Sequence, residues 1–444
     1  MANEAWPEVR LGNLCKLQAG SVFPPALQGK AHGTYPFAKV SDMNLGANMF
    51  CIRDANNWVD DADLQQMRAK PFPAGTTVFA KIGEGLKQNR LRYLVRETVI
   101  DNNMMGATPD TARLDPRFFV YALSRFNLGE IAGGTALPYL TVSALSDLTL
   151  PLPPLPEQRA IAHTLGILDD KIESNRQMNE TLEAMARAIF KSWFMDFDPV
   201  RAKLALSEAE GAEGRQPFGM DAATAAFFPS SFQDSPLGKI PRGWKAAPLP
   251  KVVEINPPHS LPKGDEATYL DMQNMPTRGH RPANWISRPF VSGSRFINGD
   301  TLLARITPCL ENGKTAFVDF LDEGEVGWGS TEFIVLRPID PLPPEYGYCL
   351  ARDEDFRSFA IQNMTGSSGR QRVPTDSLAQ YWVATPPEPI ARCFGKAIRP
   401  LFAKAKTNSE ESATLAAIRD ALLPKLISGE IRVKDAEKLA GRAS

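Results

Sequence analysis

The sequence lacks the residue groupings that catalysis, metal binding and membrane insertion require. Its five cysteines, Cys15, Cys51, Cys309, Cys349 and Cys393, are odd in number, widely scattered and free of any C-x-x-C spacing. That pattern fits reduced thiols in a cytoplasm and argues against a disulfide framework or a zinc site. The four histidines stand apart, with no H-E-x-x-H among them, so no metal centre is expected. No apolar run reaches the ~18–20 residues of a membrane helix, and the polar opening MANEAWPEVR does not read as a signal peptide. Gly313-Lys314-Thr315 has the ending of a phosphate-binding loop, but Pro308 stands where its first glycine is required. Excess charge is missing too: the net charge is −1, so any surface for phosphate must be a local cluster.

What the chain does contain is a copy of itself. With 444 residues, 43% of them hydrophobic, it can bury more than one core, and two to four units are expected. Trp6 and Leu11 recur as Trp244 and Leu249, 238 positions on. Asp42-Met43 recurs as Asp271-Met272 after 229, and the segment from Gly75 (GTTVFAKIG) as that from Gly299 (GDTLLARIT) after 224. Leu114-Asp115-Pro116 answers to Leu342-Pro343-Pro344 after 228. From Leu145 to Trp193 the offset then holds at 233, onto Leu378 to Leu426. An offset that drifts and then locks implies variable loops followed by an element of fixed length.

The locked stretch is helical. Ile161, Leu165, Leu168, Ile172, Asn175, Asn179, Leu182, Ala186, Ile189 and Trp193 step by 4 and 3 alternately, a heptad seam. Adding 233 gives Phe394, Ile398, Leu401, Ala405, Asn408, Ser412, Leu415, Arg419, Leu422 and Leu426. A rod of ~37 residues is near 55 Å long at ~1.5 Å each, and its own duplicate is the obvious partner. Asn175 and Asn408 fall at the same step and are open to two readings, register-fixing buried amides or solvated side chains. Proline hinges, LPLPPLPEQ at 150–158 and TPPEP at 385–389, introduce the two rods.

The organisation predicted is a first globular domain over 1–156, a long helix over 157–198, a linker over 199–240, a second globular domain over 241–388, a second long helix over 389–430 and a tail over 431–444. TVFAKI, LRYLVRETVI, TLLARI, TAFVDF and TEFIVLRP read as strands, FFVYALSRF and YGYCLARDEDFRSFAI as helices, without a βαβ rhythm. The fold class is therefore α+β, with two mixed α/β domains in a pseudo-twofold repeat.

At this point a resemblance becomes definite. PLPPLPEQRAIAHTLGILDDKIESNRQMNETLEAMARAIFKSWFMDFDPVRAK is similar to the central region of the specificity subunits of type I restriction–modification systems. PLGKIPRGW resembles the entry to their second target-recognition domain, and ALLPKLISGEIRV their closing segment. The second hinge, PPEPIARC, departs from the P-x-x-E-Q pattern. The resemblance implies that each globular domain reads one half of an interrupted, asymmetric DNA site. It also implies that the helices pack antiparallel as a spacer. Two modification subunits carrying AdoMet, and restriction subunits using ATP and Mg, would assemble around a chain that binds no cofactor itself.

Base edges are read by Arg, Lys, Asn, Gln, Ser and Thr, and phosphates mainly by Arg and Lys. In the first domain the densest candidate is Lys81, Lys87, Gln88, Asn89, Arg90 and Arg92, with Arg305, Asn312 and Lys314 as its duplicate. Lys39, Ser41 and Asn44 pair with Asn274, Arg278 and Arg281. Thr135 and Tyr139, in Gly133–Tyr139, pair with Arg370, Gln371 and Arg372. Each cluster also fits a solvated turn. Asn256-Pro257-Pro258-His259 is similar to the N-P-P-aromatic motif of adenine methyltransferases, but His stands in the fourth place and no Gly-rich AdoMet loop accompanies it. No catalytic residue is assigned. A self-contained methyltransferase or nuclease with fused recognition domains, and a purely structural coiled-coil scaffold, are the alternatives.

Overall fold

A computed structural model describes residues 6–134, 138–208 and 220–433. It divides into two units, residues up to Ser174 together with those from Glu411 onward, and Asn175–Glu410. Both long helices, Leu155–Phe190 and Glu388–Ser428, therefore contribute to each unit.

In the first unit, strand Glu8–Arg10 pairs antiparallel with Thr149–Pro151. A five-stranded sheet runs Cys15–Ala19, Met104–Pro109, Thr77–Ala80, Leu91–Leu94, Cys51–Ile52, and a small sheet sets Tyr35–Ala38 between Trp58–Val59 and Val99–Ile100. Helix Pro116–Leu123 covers the larger sheet, its first turn fixed by Pro116 and by Asp115, whose carboxylate accepts from the Arg117 and Phe118 amides. Gly75, at φ +86°, packs on Pro116; there a Cβ would be both strained and crowded. Ile161, Ala162 and Leu165 of the first long helix join Leu422, Leu426 and Ile427 of the second in one buried cluster.

The hinge motif has a mechanical meaning. Gln158 is fully buried, and its amide accepts from Asp115 N (2.8 Å) and donates to the Arg113 (2.9 Å) and Pro153 (2.8 Å) carbonyls. It ties the start of the helix to the domain behind it. The equivalent position 233 residues on is Ala391, also fully buried, so the second hinge does without this tie. Replacing Gln158 by Ala leaves one amide and two carbonyls without a partner in a dry site. At ~1–3 kcal/mol for each unsatisfied buried group, the first unit should lose about 3 kcal/mol or more, measurable by denaturant unfolding. An unchanged midpoint would show that water replaces the tie.

The second unit repeats this plan. Lys245–Pro248 pairs with Trp382–Thr385, and a four-stranded sheet runs Val253–Ile255, Phe333–Pro338, Thr301–Ala304, Thr315–Phe317. The second small sheet has the order Ile286–Pro289, Glu266–Leu270, Gly327–Gly329, Ser294–Phe296. Gly299, at φ +94°, meets Pro344 at the start of helix Pro344–Arg352, as Gly75 meets Pro116. Within this unit the long helices run antiparallel: Asn175 Nδ2 donates to Asn408 O (3.3 Å), while Asn179 Nδ2 reaches Ala405 O (3.1 Å). Asn408 Nδ2 donates to Asn179 Oδ1 (2.9 Å), and Asn175 and Asn408 are 3% and 1% exposed. That decides between the two readings of these residues: they are buried amides, whose pairing holds only in one register.

Every seam residue named above is buried or half-buried. In the first unit Asp169 and Arg419 pair at 2.7 Å, so the second seam accepts a charge by neutralising it. The first helix gives way at Phe190 to a wider turn, Lys191–Met195. The stretch read as a linker carries more structure than expected: helices Asp198–Glu208 and Ala222–Phe227 and a hairpin of Phe232–Ser235 with Gly238–Pro241. Its apolar residues explain this, since Val200, Met220, Phe228 and Ile240 join Trp193 and Trp244 in the core of the second unit.

Candidate nucleic-acid interface

In each unit the candidate segments converge although they are distant in sequence. Strand Thr77–Ala80 ends at Lys81, whose carbonyl accepts from Leu140 N (2.8 Å), while Gly133 and Tyr139 exchange two backbone hydrogen bonds. In the second unit Arg305 O accepts from Val373 N (2.9 Å), and Thr365 and Arg372 exchange the same two bonds. The loop after the strand and the hairpin before the hinge are thus one surface in both repeats, at the offsets of 224 and 233 seen in the sequence. The remaining segments join it. Arg92 reaches the Met43 carbonyl at 3.4 Å, and Lys314 Nζ donates to Met272 O at 2.6 Å.

Convergence does not leave every side chain available. Asn89, at φ +48°, turns inward: its Nδ2 donates to Phe126 O and its Oδ1 accepts from Leu128 N, both at 2.9 Å. Arg92 donates to the carbonyls of Asn48 and Leu91, and burial pushes its pKa down to about 10. Asn274 bonds Asp271 Oδ1 (3.0 Å), and Lys314 is tied to Met272. Arg281 lies between Asp319 (3.4 Å) and Glu410 (3.2 Å) with a nearly buried side chain. Arg372 clasps Glu332 through Nε and Nη2, 2.9 and 2.7 Å, and this carboxylate raises its pKa. Each of these six is engaged within its own unit: a short polar or cationic side chain next to a tight turn is first satisfied by the turn.

Ser41, Asn44, Gln88, Tyr139, Arg278, Asn312 and Arg370 are exposed. Lys87 is exposed and paired with Glu84 at 2.5 Å, and Lys39 donates to Gln28 Oε1 at 2.8 Å. Lys81, Arg90, Arg305 and Gln371 are half-buried, and Arg305 Nε is buried without a hydrogen-bond partner among the described residues. Thr135 lies outside the described residues. The sequence reading passed over three further cations laid on aromatic rings: Arg96 over Trp58 (5.8 Å), Arg288 over Tyr269 and Trp328 (5.1 and 5.8 Å), and Arg295 over Phe290 (5.7 Å). Their partners are far in sequence, or sit in strands whose pairing the sequence does not declare, so only the assembled sheet reveals them.

The resemblances to enzymes dissolve at the same level. Asn256, at φ +53°, continues a strand ladder: its amide donates to Val335 O and its Oδ1 accepts from Val335 N, at 2.7 and 2.9 Å. His259 lies against Arg337 (2.6 Å) and near Asp300 (3.9 Å), and its pKa is lowered by burial and then by that guanidinium. Both residues of the N-P-P motif thus belong to the sheet's own polar network. Among the described residues no group of three or more His, Cys, Asp or Glu is placed to hold a metal ion, and no helix is long and apolar enough to cross a membrane.

Comparison with known proteins agrees with the architecture. Residues 3–184 match the family described as the type I restriction modification DNA specificity domain. The chain is 26% identical to the type I restriction enzyme MjaIX specificity subunit of Methanocaldococcus jannaschii, over 97% of this chain and 94% of that one. It is likewise 26% identical to the HindI specificity subunit of Haemophilus influenzae, over 83% and 89%. The crystal structure of a type I restriction–modification S subunit from M. genitalium has the same fold over 96% of this chain and 97% of that one, with a TM-score of 0.52 at 17% identity. The chain is thus similar over most of its length to specificity subunits of type I restriction enzymes, and its residues 3–184 match their DNA specificity domain.

Proposed function

We propose that this chain is the non-catalytic DNA-reading subunit of a type I restriction–modification complex, each globular domain reading one half of an interrupted site. The observation that carries the reading is the duplication of a whole domain and helix, with the same sheet plan and different residues in the converging loops. Two like frames with unlike reading surfaces fit two unlike half-sites, as paired readers with fixed spacing do. The antiparallel helices serve as the spacer and as the seat for two modification subunits, with restriction subunits joining them. AdoMet belongs to the modification subunits, ATP and Mg to the restriction subunits, and the cytoplasm is the site of action.

The purified chain alone should neither methylate nor cut DNA, and AdoMet-dependent methylation should appear only when a modification subunit is added. Transfer of labelled methyl groups to DNA by the pure chain would favour the self-contained enzyme. Failure to select any DNA sequence in the presence of modification subunits would favour the scaffold.

A further inference from the structure

The small sheets of the two units share one plan. In the first, Tyr35–Ala38 pairs antiparallel with Trp58–Val59 and parallel with Val99–Ile100; in the second, Glu266–Leu270 pairs antiparallel with Ile286–Pro289 and parallel with Gly327–Gly329. Trp58–Val59 thus corresponds to Ile286–Pro289, and Val99–Ile100 to Gly327–Gly329. In the first sheet the tryptophan is on the antiparallel strand and its arginine, Arg96, lies three residues before the parallel one. In the second the places are exchanged: Arg288 is on the antiparallel strand and Trp328 on the parallel one. The same cation-on-indole pair therefore occurs at the same place in both domains, built from swapped residues.

The frame around each pair is fixed. Trp58 Nε1 donates to Ala55 O (3.1 Å) and Trp328 Nε1 to Arg288 O (3.2 Å), so each indole is locked by its one polar atom. Arg96 and Arg288 are exposed, and neither forms an ion pair among the described residues. Glu266, on the strand that pairs with that of Arg288, accepts from the Ser287 hydroxyl (2.9 Å). In this they differ from Arg281 and Arg372, whose charges are neutralised by carboxylates. Stacking limits the motion of a guanidinium without using its N–H donors, which suits it to an anion with several acceptor oxygens. The central strand of each sheet leads directly into a candidate reading segment, Lys39–Asn44 or Asp271–Arg281.

We propose that Arg96 on Trp58, and Arg288 on Trp328, are phosphate contacts that seat double-stranded DNA beside the reading loops. The proposal rests on the DNA-reading function above and adds to it two residues that carry affinity but no sequence information.

The test uses the full chain assembled with its modification subunits, and DNA carrying the methylated site of that complex. Binding is measured as a function of salt for the wild type, R96A, R288A, the double variant, and the lysine variants R96K and R288K. Each alanine variant should bind more weakly and flatten the slope of log affinity against log salt by about 1, so that a fourfold rise in salt costs ~3–4-fold less affinity than in the wild type. The double variant should lose about twice as much slope. The lysine variants should keep the wild-type slope, which separates loss of charge from loss of fold, and every variant should keep the wild-type methylation motif. Wild-type slopes in both alanine variants would overturn the proposal. So would a relaxed half-site at an unchanged slope, which marks a base contact, or loss of the modification subunits on co-purification, which marks a protein interface. A wild-type complex that binds no interrupted site would instead overturn the function on which the proposal rests.

Discussion

Adding one heptad to each long helix should lengthen the gap of the recognised site by about three base pairs and leave both half-sequences unchanged. The helices repeat their seam at one offset of 233, and in the second unit they are held in register by buried Asn175, Asn179 and Asn408. Seven residues keep the apolar seam in phase. They add ~10.5 Å at about 1.5 Å each, close to three base pairs at ~3.4 Å. Because Asn179 faces Ala405, the insertions belong after Asn179 and before Ala405, so that each lengthened strand of the pair meets the other. Three added pairs also turn one half-site by about 100° around the duplex at ~10.5 pairs per turn, so affinity falls while the gap of any surviving site changes. Methylation mapping reads the gap directly. A gap of unchanged length in an active variant would refute the spacer, and so would a gap altered by extra Gly and Ser placed near Gly211.

Replacing exposed loop residues should alter one half-site only. Gln88 in the first domain and Asn312 in the second lie at corresponding turns, 224 positions apart, and both are exposed. If each makes a bidentate base contact, its loss costs ~1–3 kcal/mol of discrimination, a relaxation of about fivefold to 150-fold at a single base position. Q88A should relax the first half and N312A the second, each leaving the other half intact. Asn89→Ala serves as the contrast: its amide bridges Phe126 and Leu128, so the variant should destabilise its domain instead of changing one base. Motifs unchanged in Q88A, N312A, Arg90→Ala and Arg370→Ala alike would show that the readers lie elsewhere.

The frame was legible because it is repetitive. Two seams at one offset, a glycine before each inner strand and a proline at each domain helix identify the repeat, and Gly75 with Pro116 and Gly299 with Pro344 meet as that repeat requires. The runs TVFAKI, TLLARI and TEFIVLRP contain inner strands because each is buried on both faces of its sheet. The segment before Trp244 was harder to read: its Ala- and Gly-rich composition suggests a linker, while four scattered apolar residues, Val200, Met220, Phe228 and Ile240, decide its packing. The surface was legible by segment but not by side chain. Composition marks where charge gathers; it does not reveal that Glu332 takes Arg372 or that Asp319 takes Arg281, since those carboxylates are distant in sequence. The same limit hid Arg96 and Arg288, whose aromatic partners are set by strand pairing.

The central claim, that this chain alone dictates an interrupted DNA sequence to partners that act on it, is tested most directly by sequencing the methylome of the host with and without this gene. The account predicts that deletion abolishes methylation at one asymmetric motif of two defined halves separated by a gap of fixed length, and that returning the gene restores it. An unchanged methylome in cells whose modification subunit is active, or loss of a single uninterrupted motif, would contradict it.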